Sequence, residues 1–498
     1  MRSTVRASLW LLVAALVPVR PAAADVPIQL LHGQLSPISA HHGVPYQDGP
    51  GVLLDSEAAD DFIVPADQVW ALTEVKVRGF TLPSGDGIPD DVDVAIYADG
   101  GGKPGVLICD YPLVKPAPLD FDASSGAHTL SLNLPHPCTL CAGTHYWVAL
   151  QAVDATGSYF WRQRTAQHAS PAQWRNPAGG YGAGCTDWRS AAAGCGQGDG
   201  VSPDLSFALY GRPLTPGHVK GDFNGDLCTD VVFQEEASSN AKVWNMSGSS
   251  RLSETALCPT PDLNWKIAGA DDFNGDGRAD VVFRHVTTGD VAFRFTGVPC
   301  DQDPVPLTTT NRPATDLRLE ATGDMNGDAH PDLVFRNVLT DKIVIWALNG
   351  TTVAGTPLTT SPDGTTTPSN WEIEAAMDFS GDALPDLLWR NRDSGKLVMW
   401  FLDAGLVRTS GDFTVPQQPA TGGIEWKVLG AGDYGIGRKD TPTGPEPVCT
   451  SNDLLWQNDF SAKTVIWYFN FNRERTGGEY TFPDGPGLTP RWNVVGPR

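Results

Sequence analysis

A nine-residue acidic motif recurs through the second half of the chain and constrains the fold more than any other feature. Its copies are Asp222-Phe-Asn224-Gly-Asp226-Leu-Cys228-Thr-Asp230, Asp272-Phe-Asn274-Gly-Asp276-Gly-Arg278-Ala-Asp280, Asp324-Met-Asn326-Gly-Asp328-Ala-His330-Pro-Asp332 and Asp378-Phe-Ser380-Gly-Asp382-Ala-Leu384-Pro-Asp386. A fifth, degraded copy begins at Asp433, and successive copies start 50 to 55 residues apart. A period of this length marks a repeat architecture, in which each unit buries its apolar faces against its neighbours.

Each acidic stretch runs into a β-rich segment: Val231-Val-Phe-Gln, Val281-Val-Phe-Arg, Leu333-Val-Phe-Arg, Leu387-Leu-Trp-Arg and, after an insertion, Leu454-Leu-Trp-Gln. A turn and a further strand ending near Trp244, Phe293, Trp346, Trp400 or Trp467 follow. Upstream of the later copies lies another strand, as in Trp265-Lys-Ile-Ala-Gly or Trp371-Glu-Ile-Glu-Ala. Such a unit holds four short antiparallel strands, one propeller blade. The first copy lacks the upstream strand, and Trp492-Asn-Val-Val-Gly496 supplies one at the far end of the sequence. The expectation is an all-β chain in which residues 218–498 form a five-bladed β-propeller, its ring closed by that last strand.

The pattern D-x-N-G-D-x-x-x-D, then V-V-F-R or L-L-W-R, a turn and V-x-x-W resembles the FG-GAP-like or VCBS-type repeats of secreted bacterial proteins. The resemblance covers about 280 residues by the spacing of the copies, and implies a propeller with calcium in its loops. The residues agree with that implication. Oxygens at alternate loop positions converge on one point when the chain curls, and a hard cation of this size takes six to eight of them. About four Ca²⁺ ions are expected by this reasoning. The first site would use Asp222, Asn224, Asp226 and Asp230, and the second Asp272, Asn274, Asp276 and Asp280. The third would use Asp324, Asn326, Asp328 and Asp332, and the fourth Asp378, Ser380, Asp382 and Asp386. Position 7 holds Cys228, Arg278, His330 and Leu384, a set so mixed that it can contribute only a backbone carbonyl. An EF-hand or dockerin needs an acidic residue at position 12, where the second copy has Phe283 inside a strand. In the fifth copy Gly435 and Gly437 replace two ligands, so no ion is expected there.

The N-terminal Met1-Arg2-Ser3-Thr4-Val5-Arg6, an apolar run to Val19 and Pro21-Ala22-Ala23-Ala24 predict a signal peptide over residues 1–24. No later stretch is long and apolar enough to span a bilayer as a helix, so the expected location is extracellular or periplasmic. The formal net charge of -23 repels phosphate backbones and argues against a nucleic-acid partner. In an oxidising compartment the nine cysteines are first of all disulfide candidates. Cys138-Thr-Leu-Cys141 has no second pair at zinc-finger spacing. The expected bonds are 185–195, 228–449 and 258–300, with Cys109 the odd thiol.

Residues 26–213 carry no copy of the repeat. Alternating segments such as Trp70–Phe80, Val92–Tyr97, His128–Leu134 and Tyr146–Gln151 predict a β-sandwich of jelly-roll type. Ala59-Asp-Asp-Phe-Ile-Val-Pro-Ala66 and Asp204-Leu-Ser-Phe-Ala-Leu-Tyr-Gly211 resemble the accessory sandwiches of bacterial cell-surface proteins. The aromatics from Trp161 to Trp188 suit either sugar rings or the sandwich core, and large aromatics favour the core. No nucleophile elbow, zincin, Walker or Rossmann pattern is present in the sequence. The expected function is a non-catalytic, calcium-binding adhesion or recognition protein whose partner is a glycan or a cell-surface protein. The alternative is a secreted polysaccharide hydrolase with the propeller as accessory domain, since a carboxylate pair leaves no local signature.

Overall fold

A computed structural model describes residues 28–35, 43–45, 47–48 and 55–498, apart from 83–87, 123–126, 154–157, 165, 181–183, 200–202, 215–218, 310–312, 366, 381, 383, 419–424, 435–436, 442–443, 449–452, 470–474 and 488–490. The expected signal peptide and Cys449 lie outside the described residues. The described chain is almost entirely β, with one five-residue helix at Ala191–Cys195. Among the described residues no helix is long and apolar enough to cross a membrane.

The N-terminal part contains an eight-stranded and a seven-stranded sheet. Val69–Leu82 lies inside the first, between Phe207–Leu214 and Ala127–Leu140, and His145–Val153 lies inside the second, between Glu57–Ile63 and Asp91–Asp99. Asp91–Asp99 alternates strictly between buried and half-buried positions, the period-2 signature of a strand with one face on a core. Both sheets feed that core: Val75, Leu132, Trp161 and Leu209 come from one, and Phe62, Ile96, Val148 and Trp174 from the other. Trp161, Trp174 and Trp188 are all buried, so the aromatics of that segment are core residues, as their size favours.

Five of the seven sheets in the C-terminal half share one strand plan, four strands in four of them and three in the one that starts at Leu317. The first combines Trp492–Gly496, Val231–Glu235, Ala241–Ser247 and Ser250–Leu257. The second to fifth start at Trp265–Asp271, Leu317–Gly323, Trp371–Met377 and Trp426–Gly432. Trp492–Gly496 pairs antiparallel with Val231–Glu235, taking the place that the upstream strand holds in the other four. The first strands of successive sheets touch one another, and Trp492–Gly496 touches both Trp426–Gly432 and Trp265–Asp271, so the order of neighbours is cyclic.

Five hydrophobic clusters follow the same cycle, each drawn from two adjacent sheets. One joins Val232 and Val243 to Ile267 and Phe283, and another joins Leu455 and Ile466 of the fifth sheet to Phe233 and Trp244 of the first. The second strand of each sheet is therefore buried on both faces, which is why Val-Val-Phe or Leu-Leu-Trp runs appear there instead of alternation. The residue ending each run ties its sheet to the next. Gln234 donates to the Trp265 carbonyl at 3.2 Å, Arg284 to Leu317 at 2.7 Å, Arg336 to Trp371, Arg390 to Trp426 at 2.9 Å and Gln457 to Trp492 at 3.0 Å.

Two expected cysteine assignments are corrected. Cys228 bonds Cys141, not Cys449, because the N-terminal part packs directly on the first acidic loop. Cys109 is not free: it bonds Cys138 and links the two N-terminal sheets across their core. The 185–195 and 258–300 bonds are present.

Candidate functional site: the acidic loops and a buried acid cluster

The second, third and fourth acidic motifs form the tight connections between the first and second strands of their sheets, and the first motif leads into the second strand of its sheet in the same way. Position 1 organises the loop. Asp272 Oδ1 accepts the backbone N–H of Gly275 at 2.7 Å and of Asp276 at 3.2 Å, and its Oδ2 accepts that of Gly277 at 2.8 Å. Asp222 and Asp324 make the same three contacts in their loops. The curl requires a left-handed residue at position 4, where φ is 80° at Gly225, 77° at Gly275 and 77° at Gly327. Only glycine takes that conformation without steric cost, which accounts for its presence in every one of these loops. Position 6 is also left-handed, at Leu227, Gly277 and Ala329. For leucine and alanine the strain of about 1 kcal/mol is offset by the bond to position 1.

Position 5 receives the backbone N–H of position 7: Cys228 to Asp226, Arg278 to Asp276, His330 to Asp328 and Leu384 to Asp382, each at 3.0 Å. Only main-chain atoms of position 7 take part, which explains its variety. In the third position Asn224, Asn274 and Asn326 donate to the position-5 carboxylate, and Ser380 bonds Asp378.

Position 9 has a different place. Asp230, Asp280, Asp332 and Asp386 are fully buried. Asp280 Oδ2 accepts the Phe273 N–H of its own loop, and Oδ1 accepts the Thr296 N–H at the end of the third strand. Asp230 does the same with Phe223 and Met246, and Asp332 with Met325 and Leu348. Burial first, and neighbouring aspartates second, push Asp226 to about 7 and Asp230 well above the usual carboxylate range. Burial likewise raises Asp280 to about 8, and Asp332 and Asp386 to about 7.

In the degraded fifth loop Asp453 occupies the position-9 place although an insertion separates it from Asp433. Its carboxylate accepts Tyr434 N–H at 3.1 Å and Phe469 N–H at 3.3 Å.

The first loop meets the N-terminal part through the Cys141–Cys228 bond, and Ala142 N–H donates to the Asp226 carbonyl at 2.8 Å. Among the described residues, Cys141, Asp226 and Cys228 alone bring three metal-ligating atoms within 4.8 Å of one another, and two of these are disulfide sulfurs without a thiolate to offer. The second strand of each sheet runs from its acidic loop to the turn before the third strand, so those turns lie at the opposite end of the sheets. Val286, Leu339 and Phe460 occupy equivalent turns there with 61%, 79% and 72% of their surface exposed. All three lie at the ends of their sheets opposite the acidic loops.

Residues 222–283 match the model of the FG-GAP-like repeat. That span contains the first two acidic loops and most of the second strand of the second sheet. No curated protein matches the chain.

A second cluster of charge, not singled out as a site in the sequence, is centred on the middle of Glu57–Ile63. Adjacent residues Asp60 and Asp61 are both fully buried, together with Asp204. Asp60 accepts Gln34 Nε2 at 2.8 Å and Leu205 N–H at 2.7 Å, and Asp61 Oδ2 accepts His145 Nε2 at 2.7 Å and Ser170 N–H at 2.6 Å. Burial pushes Asp60 well above the carboxylate range and Asp204 up to about 7, and pushes His32 down to about 4. The Asp61 hydrogen bond raises His145. The available signal was Asp60-Asp61 itself: two consecutive carboxylates in a strand cannot both face water when both of its faces are covered.

Proposed function

We propose that residues 218–498 are a five-bladed β-propeller carrying about four calcium ions, joined to a β-sandwich over residues 26–213, in a secreted recognition protein that does not act as a catalyst. The observation that carries the reading is the cyclic neighbour order of the five sheets, with an intact acidic loop leading into the second strand of the first four. The ions would be held by positions 1, 3, 5 and 9 of the first four loops with the position-7 carbonyl. The donor set is all oxygen, as a hard cation requires, and Asp386 Oδ2 is buried without a hydrogen-bond partner. Bound calcium supplies charge compensation to these loops; the chain's own bonds already curl them. The face opposite the acidic loops, with Val286, Leu339 and Phe460 at its turns, is the recognition surface for a glycan or a cell-surface protein. Four disulfides in the described residues fit an oxidising location outside the cytoplasm.

Titration calorimetry on chelator-stripped protein should give about four calcium sites, and chelation should lower the melting temperature, since an ion bound only to the folded state stabilises it. Unchanged melting in protein shown to be metal-free removes the calcium assignment. A glycan array run beside a polysaccharide hydrolysis screen tests the recognition reading. Turnover lost on mutating one carboxylate would replace that reading with the hydrolase.

A further inference from the structure

We propose that a cavity on the fourth sheet of the C-terminal half binds a hexuronic acid residue, with Arg408 as the anchor for its carboxylate. The proposal deepens the recognition reading by naming a ligand class, and rests on that reading for the role of the site. The cavity, of about 240 Å³, is walled by Trp371, Trp389 and Trp400 of the sheet, by Thr367 of the segment before it and by Arg408. Two polar groups of this lining have no partner. Trp389 is fully buried and its Nε1 donates to nothing, and Thr367 Oγ1 is buried without a hydrogen bond. The Arg408 guanidinium lies 4.7 Å from the centroid of the Trp400 ring and donates through Nε to the Ser410 carbonyl at 3.2 Å. Among the described residues Arg408 forms no ion pair.

The first sheet shows what the fourth lacks. Arg251 has the register place of Arg408, paired with Met246 as Arg408 is with Leu402. It lies over the Trp244 ring at 5.0 Å, and Glu254 completes the set by accepting Arg251 at 3.2 Å and Trp244 Nε1 at 2.9 Å. Glu254 pairs with Trp244 across the strands, whereas the residue paired with Trp400 is Gly411. The fourth sheet therefore keeps the cation and the indole and has no carboxylate between them, and an arginine fork takes a carboxylate from a ligand through two parallel bonds. No acidic side chain lines the cavity to oppose it. The other walls specify what carries the carboxylate. Three indoles supply apolar area for the face of a pyranose ring, while the indole N–H of Trp389 and the hydroxyl of Thr367 match ring hydroxyls. The volume is below the roughly 300–1,000 Å³ of sites for larger ligands and suits a single sugar residue. Trp456, Trp467 and Arg475 repeat the arrangement in the fifth sheet, with Arg475 4.6 Å from the Trp467 ring. The segment before that sheet includes residues 419–424, outside the described residues, so the site is assigned at the fourth sheet.

Titration calorimetry of the full chain with galacturonate, galactose and a capped aspartate tests the assignment, in a Trp456→Phe background that removes the fifth-sheet counterpart. Phenylalanine is accepted at this register place, since Phe233, Phe283 and Phe335 hold it in the first three sheets. Galacturonate should bind at one site and galactose about tenfold more weakly, the worth of one charge-assisted pair. Arg408→Gln should abolish that preference with melting unchanged, because its side chain is partly exposed. Trp389→Phe keeps a ring and removes the N–H, and should weaken both sugars roughly fivefold. Galactose bound as tightly as galacturonate, or galacturonate binding unchanged in Arg408→Gln, overturns the site. Capped aspartate bound as tightly as galacturonate also overturns it and makes an acidic peptide the ligand. If galacturonate fails to bind while the glycan array is positive, this site falls and the recognition reading stands; if the array is negative as well, both fall.

Discussion

Asp453→Ala separates the architectural role of the ninth loop position from ion binding. Asp453 is fully buried and its carboxylate is the acceptor for Tyr434 N–H at 3.1 Å and Phe469 N–H at 3.3 Å. Alanine leaves both donors without that acceptor. A stranded buried donor costs about 1–3 kcal/mol, toward the upper end when the lost acceptor is charged. Two of them amount to roughly 4 kcal/mol, and removal of a buried charge returns part of this, leaving about 3 kcal/mol. Guanidinium unfolding followed by tryptophan fluorescence should show this loss equally in excess calcium and in excess chelator, because the fifth loop has lost two of its oxygen ligands. Asp276→Ala is the contrast: its carboxylate lies in an exposed part of the second loop, and its larger effect should appear in calcium alone. If the Asp453→Ala cost disappears in chelator, the ninth position acts through an ion and the separation of roles is wrong.

Three further outcomes test the framework. Arg390→Gln should cost well under about 1 kcal/mol, because Gln234 and Gln457 make the same inter-sheet bond elsewhere, whereas Arg390→Ala strands the Trp426 carbonyl and should cost about 1–3 kcal/mol in denaturant midpoint. Replacing Cys141 and Cys228 together by serine opens a loop of sequence separation 87, and non-reducing thermal melts should register a loss of about 4 kcal/mol. Glu374 is buried and raised to about 7 by desolvation, against the lowering effect of Arg498 and Arg390 and with Glu372 and Glu320 raising it. Its folded pKa lies above its unfolded one, so the folded state binds the proton more tightly and stability is lost as pH rises from about 4.5 to about 7. Glu374→Gln should therefore match wild type at about pH 5 and exceed it at about pH 8, by at most roughly 3 kcal/mol; equal pH profiles in urea melts refute this.

The repeating strands were legible because local pattern and burial coincide. Val281-Val-Phe-Arg is apolar on both faces, and its two faces meet two neighbouring sheets. The acidic loops were legible for a similar reason: their geometry depends on contacts within nine residues, between position 1 and the amides that follow it. What escaped the sequence was long-range. Arg284, Arg336 and Arg390 read as ends of strands, and their partners are carbonyls more than thirty residues away. The Cys141–Cys228 bond depends on how the N-terminal sheets dock on the first loop, which no spacing encodes. Asp60 and Asp61 carried a local signal, yet their partners Gln34, His145, Ser170 and Leu205 come from four other segments.

The degraded fifth copy shows which parts of the repeat belong to the architecture. Gln457 keeps its bond to the next sheet, Leu454-Leu-Trp456 keeps both faces buried, and Asp453 keeps its two backbone donors across an insertion. Asp433-Tyr-Gly435-Ile-Gly437 keeps the position-1 aspartate and has lost the side-chain oxygens at positions 3 and 5. A feature needed to hold the sheets in cyclic order must survive in every copy, since one failed interface breaks the cycle. A feature that loads an ion into one loop is free to vanish from that loop alone. Positions 3 and 5 fall in the second class and position 9 in the first; under the proposed calcium reading, the ninth aspartate of the other four copies would combine both duties. The two backbone donors, present in the fifth copy as in the first three, account for a carboxylate that stays fully buried there despite its desolvation cost.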